Sequence, residues 1–558
     1  MKPTAEEKDI ISIRLVGEPD RLNPILTGSG YATQVMNYLF LSLQQYDPES
    51  LELTPVLIKS RPEVQPITEG MFEGGIDYTF EIVDEAMWSN GSPILASDYL
   101  FTMKAIWNSE VPSPYRTLFG FLGDIQMDEK NPKKFTVLTN KVDFYAEQTL
   151  SGVAIHPEYR YDPDSLMRNF TLKEIIANKT SDKTILKKFA DQFSSPEYAH
   201  EGKLIEGAGA YRVASWDKGQ QLVLERKKDW WGDALSPNNH LFEANPDQIK
   251  FKFIADNTAS ITALKEGQLD VLPEIDPTSF VDLQKNDFVK PKFNFFTPPY
   301  LAYAYLGLNT ERTKLADKNV RRALAHLMDV DKAIATVMQG LGERVVGPIY
   351  PSKKYYHKKL ELISYDVEKA VQLLTEAGWK DSDQNGILDK TLQGEKTELR
   401  IRLLYPVNNL VAKNMSLLFK ENLAQAGVEL ELKGMEFNAL VKNYKARDYD
   451  MVFGKWSILP GPDDLRQLWH TDSDSPNGFN RTGFGDAASD AIIDALQTTL
   501  DEETRNQLYI SIQERIYDDQ NYIFLYAPLR RIAISRKYRA ETSALRPGFF
   551  VNQFERKE

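Results

Sequence analysis

The histidines and the absence of cysteine limit the chemistry that neighbouring residues of this chain can perform. Six histidines lie at positions 156, 200, 240, 326, 357 and 470, and none has another within five residues. An HExxH zinc motif is therefore absent. Because the chain has no cysteine, thiolate metal sites, iron–sulfur clusters, disulfides and cysteine nucleophiles are excluded as well. The GxSxG and GxxxxGK[ST] patterns are also missing, so the sequence has neither the commonest hydrolase motif nor the P-loop motif.

One acidic stretch, DSDQNGILD, has the spacing of a calcium-binding loop. Asp381, Asp383, Asn385 and Asp389 match the first, third, fifth and ninth positions of such a loop, and a glycine stands at the sixth. The twelfth position is Leu392 instead of the bidentate glutamate. We therefore favour a tight connecting turn over a calcium site, and we expect no metal and no cofactor.

The composition is that of an ordinary folded protein with an acidic balance. The 558 residues include 67 Lys and Arg against 80 Asp and Glu, which gives a formal net charge of −13. This balance argues against nucleic-acid binding, which needs clustered cations. No run of 18 apolar residues is present, so no segment is predicted to span a bilayer. Aromatic residues are plentiful and supply rigid surfaces for cores and binding clefts.

Strand and helix patterns alternate along the chain, which predicts an α/β or α+β fold. Strands are predicted at 10–16 and 78–83, and at 428–433, where apolar and charged residues alternate. A helix is predicted to begin at Asp366 and to end at Gly378, because aspartate caps helix starts and glycine follows helix ends.

Three further segments also give predictions, two for helices and one for a surface excursion or boundary. We expect Asp329 to start a second helix after one that begins near 317, and a further helix to cover 411–426. The lysine-rich stretch 178–198 is predicted to be a surface excursion or a domain boundary.

Several short motifs follow one another in an order typical of one family. They are EPDRLNP at 18–24, YDPESLELTPVL at 46–57, WSNGSPILASDYLFT at 88–102, EGAGAYRV at 206–213, LERKKDWWG at 224–232, ALKEGQLD at 263–270, LGLNT at 306–310, DKNVRRALAHLMDVDK at 317–332, YDVEKAVQLLTEAGW at 365–379 and RDYDMVFGKW at 447–456. Together they resemble the extracytoplasmic solute-binding proteins of peptide and nickel ABC importers, family 5, of the oligopeptide- and dipeptide-binding type.

The resemblance implies a two-lobed periplasmic-binding-protein fold of α/β class, type II, with an extra domain inserted in the first lobe. Lobe I is expected to consist of 1–48, 198–300 and 525–558. The inserted domain is expected at 49–197, and lobe II at 301–524. In this family the lobes close on the ligand, and closure is favoured because some contacts exist only in the closed state.

The resemblance also points to ligand-contacting residues. Trp456 ends a strand pattern and Ser457 begins the loop after it, and we expect both to line the ligand. Gly454 would let a ligand approach the backbone, although a β-bulge is an equally good interpretation. In the stretch TGSGYATQ, Gly30 and Tyr31 are candidates, with a helix cap as the alternative.

A second group of candidates comes from loops in the later half of the chain. Asn480 lies in a turn that borders the ligand in relatives, and Arg481 is a candidate for an anionic ligand group, with a solvated arginine as the commoner outcome. Dipeptide-binding relatives place an aspartate where this chain has Leu459, and an arginine near the position of Asn408. Both anchors for the ligand's termini therefore look absent.

Asp463 and Asp464 lie close to the position of the missing aspartate and are candidates to replace it. A buried carboxylate without a partner is costly, so each is expected to have a cationic partner or to face water. This departure weakens a dipeptide assignment and leaves longer peptides or other organic solutes.

The resulting hypothesis is a binding protein, not an enzyme, that captures a peptide or peptide-like solute and delivers it to an ABC permease and ATPase. The alternatives are another solute, such as a metal chelate or a sugar, a hydrolase on a two-lobed scaffold, and a sensor or chaperone-like module. We expect a monomer that binds no nucleic acid. We expect a periplasmic or extracytoplasmic location with a lipid anchor on a cysteine upstream of this sequence, although the polar start shows no signal peptide.

Overall fold

The computed structural model describes residues 8–180, 182–475 and 478–557. The chain divides into two compact units, and each is described by itself. Unit 1 contains the described residues up to 276, residues 282–298 and those from 531 onward, and unit 2 contains 277–281 and 299–530. The boundaries expected for the lobes and the inserted domain stay a prediction.

The strands, in chain order, are as follows. They are β1 Ile10–Leu15, β2 Gln44–Tyr46, β3 Leu53–Pro55, β4 Glu63–Pro66, β5 Ile76–Glu81, β6 Leu122–Met127, β7 Lys134–Thr139, β8 Tyr211–Asp217, β9 Gln221–Arg226, β10 Gln248–Phe253, β11 Val271–Leu272, β12 Phe293–Phe296, β13 Ala302–Leu308, β14 Gly342–Arg344, β15 Asp389–Leu392, β16 Glu395–Glu398, β17 Arg400–Pro406, β18 Glu429–Met435, β19 Met451–Ser457, β20 Tyr522–Pro528, β21 Ile532–Ser535, β22 Tyr538–Arg539 and β23 Glu555–Arg556.

The α-helices are α1 Gly30–Met36, α2 Ala96–Trp107, α3 Ala146–Ser151, α4 Glu158–Tyr161, α5 Leu172–Ile176, α6 Lys183–Phe193, α7 Pro196–His200, α8 Asn257–Lys265, α9 Pro277–Lys285, α10 Lys318–Leu327, α11 Val330–Thr336, α12 Val367–Glu376, α13 Leu410–Gln425, α14 Phe437–Lys445, α15 Arg466–Trp469, α16 Ala487–Thr498 and α17 Glu502–Asp519. Short 3₁₀ turns cover Arg116–Phe119, Leu166–Asn169, Trp231–Ala234, Ser236–Asn238, His240–Phe242, Thr471–Ser473 and Val551–Gln553. Among the described residues, no helix combines the length and the apolar character needed to cross a membrane.

Unit 1 is built on a mixed sheet with the strand order β12-β21-β11-β1-β10-β9-β8. Its centre is parallel, because β1 pairs in parallel with both β10 and β11. The strand next to β11 is β21, which comes from the end of the chain and pairs antiparallel with β11 and β12. A separate antiparallel sheet, β4-β5-β7-β6, belongs to the same unit.

Unit 2 is built on a second mixed sheet with the order β14-β20-β13-β19-β17-β18. Strand β17 is parallel to β18 and β19, whereas β13 is antiparallel to β19 and β20. Every residue of β13 and of β20 is buried, as expected for central strands covered on both faces. The prediction of an α/β fold is confirmed.

Local signals in the sequence account for the helix ends. The Asp366 side chain accepts a hydrogen bond from the Lys369 amide at the start of α12, and Gly378, just past its end, has a φ of +83° that favours glycine. Asp329 caps α11, so the predicted restart of the helix is confirmed. The stretch 178–198, in contrast, is not merely a surface excursion, because α6 buries one apolar face in unit 1.

Candidate functional site

The carboxyl ends of three strands meet at one edge of the unit 2 sheet. Strands β17 and β18 end in register at Pro406 and Met435, and β19, parallel to β17, ends at Ser457. The start of β13 lies at the same edge, because Ala302 pairs with Ser457. In open α/β sheets, ligands bind outside the carboxyl ends of the strands. This edge is therefore where a solute site is expected in unit 2.

Exposed apolar side chains gather at the loops that follow these strand ends. Leu410 begins the helix after β17, Phe437 begins the helix after β18, and Leu459 follows β19; they are 65%, 61% and 57% exposed. The half-buried Trp456 ring meets the exposed Phe479 ring edge to face, with centroids 6.1 Å apart. We call these five residues the apolar edge. Exposed apolar groups concentrated at one place on a soluble protein mark a binding surface.

The structure places other predicted candidates at the same edge. Ser457, the last residue of β19, and Asn408, which follows β17, are exposed there. The backbone of Gly454 is only half-buried, and a side chain at this position would come within 3.0 Å of the Tyr305 ring. Tyr305 pairs with Gly454 across β13 and β19 without a break in register. Packing of the tyrosine ring thus explains this glycine, and no bulge occurs there.

A tyrosine between two cations lies at the same edge and was missed by the sequence analysis. Lys455 Nζ is 4.7 Å from the centroid of the Tyr300 ring, and Arg530 Cζ is 4.0 Å from it. Tyr300 precedes β13 and Arg530 follows β20, and the Tyr300 amide donates to the Pro528 carbonyl. These residues are brought together only by strand pairing, so spacing in the sequence gives no signal for them. They place positive charge beside the apolar edge.

Asp463 is buried and has a cationic partner, as expected for a carboxylate in this loop. Lys353 Nζ lies 2.7 Å from Asp463 Oδ2, and both side chains are 7% exposed. The same Nζ donates to the Gly461 carbonyl, and the Tyr355 hydroxyl donates to Asp463. Burial raises the pKa of Asp463 and lowers the pKa of Lys353. The pair holds the loop after β19 in place. The charge of Asp463 is thereby balanced by a lysine of the protein itself.

Asp464 and the turn residues differ in their surroundings. Asp464 is exposed and accepts a hydrogen bond from the Arg466 amide. Asn480 is buried and donates to the His470 and Phe484 carbonyls, so it holds its own turn together. Arg481 is 2% exposed and donates to the Lys445 carbonyl. It is therefore not a solvated arginine, and the role of both turn residues in ligand contact stays a prediction.

In unit 1, Tyr31 lies at the carboxyl edge of the parallel strands. A side chain on Gly17, just after β1, would come within 3.0 Å of the Tyr31 ring. Burial and the nearby Glu274 raise the pKa of Tyr31, whereas Arg546 and Arg14 act in the opposite direction.

Buried Arg14 ties the ends of the parallel strands of unit 1 together. It donates to the carbonyls of Ile254 and Ala255 after β10, and to that of Pro273 after β11. Gly30 leaves room for the Arg546 guanidinium, which a side chain at this position would meet.

The acidic loop has the contacts of a closed turn. Both oxygens of Asp381 accept backbone hydrogen bonds, from Asn385 and Gly386. Asp381, Asp383 and Asp389 have oxygens within 4.8 Å of one another. However, the Lys396 ammonium lies 2.6 Å from Asp383 and 3.5 Å from Asp389. A cation already pairs with two of the three carboxylates, which favours the turn interpretation over a calcium site.

Comparison with known proteins links this geometry to one group. A sequence model described as bacterial extracellular solute-binding proteins, family 5 Middle, matches residues 52–479. The chain is 25% identical over 526 residues to the oligopeptide-binding protein AppA of Bacillus subtilis, which covers 93% of this chain and 86% of AppA.

Solved structures show the same fold. AppA from Bacillus subtilis in complex with a nonapeptide superimposes with a TM-score of 0.74 at 21% identity, covering 99% of this chain and 100% of AppA. NikA from Brucella suis in complex with Fe(III)-EDTA gives a TM-score of 0.79 at 20% identity, covering 98% of this chain and 100% of NikA. These likenesses confirm the predicted two-lobed solute-binding-protein fold.

Proposed function

Because the chain belongs to the family 5 bacterial extracellular solute-binding proteins, as its motifs predict, we propose that it captures a peptide or peptide-like solute by closing its lobes. The solute then passes, chemically unchanged, to an ABC permease and ATPase. The observation that carries this proposal is the apolar edge of unit 2, where exposed aromatic and aliphatic side chains surround strand ends. Such a surface loses water on binding and stabilises apolar side chains of a peptide.

The ligand class follows from which polar groups are already occupied. Asp463 is neutralised by Lys353 and is therefore a poor anchor for the α-ammonium group of a peptide. The exposed Lys455 supplies positive charge beside Tyr300 and suits backbone carbonyls or an acidic group. These features support a peptide held along its length rather than a dipeptide gripped at both ends. The AppA structure in complex with a nonapeptide supports the same ligand class.

A metal chelate is the second candidate, because NikA of the same fold was solved with Fe(III)-EDTA. The two candidates differ in mass and composition, so a single measurement separates them.

We propose in addition that the protein is a monomer, is not an enzyme, and is anchored by lipid outside the cytoplasm. The expected domain boundaries are part of the proposal and can be checked by limited proteolysis.

Native mass spectrometry of the purified protein tests the ligand class directly. After unfolding and refolding to remove any bound molecule, the protein is incubated with a library of five- to nine-residue peptides. We expect bound masses equal to intact peptides, and a smaller radius of gyration by solution scattering when peptide is present. Bound fragments or released cleavage products would show an enzyme, and capture of metal chelates instead of peptides would favour the second candidate.

Trp456→Ala tests the site. If the ligand buries this ring, its loss costs about 2 kcal/mol, which weakens peptide binding roughly 30-fold. Phe288→Ala is the matched control, because Phe288 is an 81% exposed aromatic residue of unit 1. Isothermal titration with a peptide selected from the library measures both variants. Equal affinities for Trp456→Ala and the unmodified protein would remove the apolar edge from the site.

A further inference from the structure

Unit 1 contains an open cavity of about 440 Å³, and none of its lining residues belongs to the candidate site. Strands β8 and β9 and the loop 202–207 form most of its wall, and Leu39, Ser89, Arg160 and Lys227 complete it. Cavities of this volume are typical of small-molecule sites. The proposed solute site does not include this cavity.

Charge in the cavity wall is unbalanced. Four lining side chains are cationic and two are anionic, which leaves an excess of two positive charges. The cationic residues are Arg160, Lys203, Arg212 and Lys227, and the anionic residues are Glu206 and Glu225. A wall of this kind attracts anions.

Both carboxylates of the wall already have donors. Glu206 accepts from Arg160 Nε at 3.0 Å, from the Tyr159 hydroxyl, and from the Ser89 amide at 3.3 Å. Glu225 accepts from Arg212 at 3.0 Å and lies 3.6 Å from Lys8. Both carboxylates are therefore paired with cationic side chains other than Lys227.

The ammonium group of Lys227 has N–H donors beyond the one that binds the Gly207 carbonyl. Its Nζ donates to the Gly207 carbonyl at 2.7 Å, and an ammonium group has two further N–H donors. Within the described part of the chain, no carboxylate lies within ion-pair distance of this nitrogen. Burial lowers the pKa of Lys227 to about 8, an effect that Arg212 strengthens and Glu206 opposes. A half-buried ammonium without a counter-ion is destabilising, and an anion in the cavity would relieve that cost.

We infer that this cavity binds a small organic anion, whose carboxylate or phosphate group takes the remaining N–H donors of Lys227. The positive excess of the wall favours the anionic group, and the volume accommodates the rest of a small molecule. The site is separate from solute capture and does not depend on the proposed function.

Isothermal titration with phenyl phosphate and with benzoate tests this inference. The two probes share a ring and differ in the anionic group, so the tighter one identifies the preferred headgroup. We expect at least one to bind at pH 7.0, and we expect Lys227→Met to weaken that binding 10-fold or more. Lys228→Met, which changes an exposed neighbouring lysine, is the matched control and is expected to bind like the unmodified protein.

The pH dependence identifies the group responsible. If only protonated Lys227 binds, raising the pH from 7.0 to 9.5 weakens phenyl phosphate binding about 30-fold. Lys227→Arg keeps its charge over this range, so it is expected to bind the probe with little pH dependence. The charged groups that line the cavity with Lys227 are Arg160, Lys203, Glu206, Arg212 and Glu225.

Three outcomes would overturn the inference. They are the absence of binding by both probes at millimolar concentration, equal binding by Lys227→Met and the unmodified protein, and an unchanged pH dependence in Lys227→Arg. Peptide binding is measured on the same samples. A Lys227→Met protein that binds peptide but not the probe is folded, so its loss of probe binding is a property of the cavity.

Discussion

Replacing Lys353 by methionine tests the buried ion pair that fixes the loop after β19. The substitution keeps most of the length of the side chain, shortening it by one heavy atom, and removes the ammonium group. It deletes the 2.7 Å contact with Asp463 and the hydrogen bond to the Gly461 carbonyl. Asp463 then remains buried with the Tyr355 hydroxyl as a donor.

The expected cost follows from the burial of both partners. Removing one member of a buried pair destabilises a protein by about 3–5 kcal/mol, because the other charge is left without compensation. Burial already raises the pKa of Asp463, and loss of Lys353 raises it further. The cost is therefore greatest above that pKa and decreases as the pH falls through it and the carboxyl becomes neutral. We expect a larger cost at pH 8 than at pH 5.

Hydrogen exchange of the β19 amides measures this cost in unit 2 without interference from unit 1. A loss of 3–5 kcal/mol corresponds to exchange that is about 100- to 5,000-fold faster if β19 exchanges through unfolding of the unit. Lys354→Met is the matched control. Its partner Glu502 lies 3.4 Å away and both side chains are exposed, so the control is expected to change stability by no more than about 1 kcal/mol.

A double variant separates charge from packing. Lys353→Met combined with Asp463→Asn removes both charges, and we expect its stability to lie within about 2 kcal/mol of the unmodified protein. The reasoning is refuted if Lys353→Met exchanges no faster than Lys354→Met. It is also refuted if the double variant is as unstable as Lys353→Met alone, because the loss would then come from shape and not from charge.

Three further predictions concern other parts of the molecule. Gly454→Ala is expected to cost about 1–3 kcal/mol by thermal unfolding, because its Cβ collides with the Tyr305 ring; an unchanged melting temperature would contradict this. Lys227→Met is expected to stabilise the protein by about 1–3 kcal/mol at pH 7 in urea unfolding, because the lowered pKa of about 8 makes its buried charge costly. That gain should shrink between pH 8 and 10.5, where the native lysine becomes neutral; a gain independent of pH would disprove the cause. Calcium chloride at about 1 mM is expected to change the melting temperature by less than about 1 °C, because Lys396 already neutralises Asp383; a larger rise would favour a calcium site.

Helix ends could be predicted because their signals are local. Asp366 and Gly378 are read from a few neighbouring residues, and the structure has both in the expected roles. Helix α6 was missed because its apolar positions are separated by lysines, which make the average composition polar. Its burial depends on packing against distant parts of unit 1, which no short window of sequence reports.

The candidate site could be predicted only in part, for the same reason. Trp456 was found because it ends a recognisable strand. Lys353 could not be found as the partner of Asp463, because the two residues are distant in sequence and meet only in the folded unit. Asn480 and Arg481 show the converse difficulty. Polar residues in a turn look alike whether they contact a ligand or donate to backbone carbonyls of the protein, as these two do here.

The position of β21 determines when unit 1 can be completed during synthesis. This strand, Ile532–Ser535, lies between β11 and β12, so the sheet has a gap until residues 532–535 have left the ribosome. A product truncated before residue 532 would expose two unpaired strand edges, which promote aggregation and attract proteases. Termination before β21 is thus expected to leave an aggregation-prone chain instead of a partial binding protein.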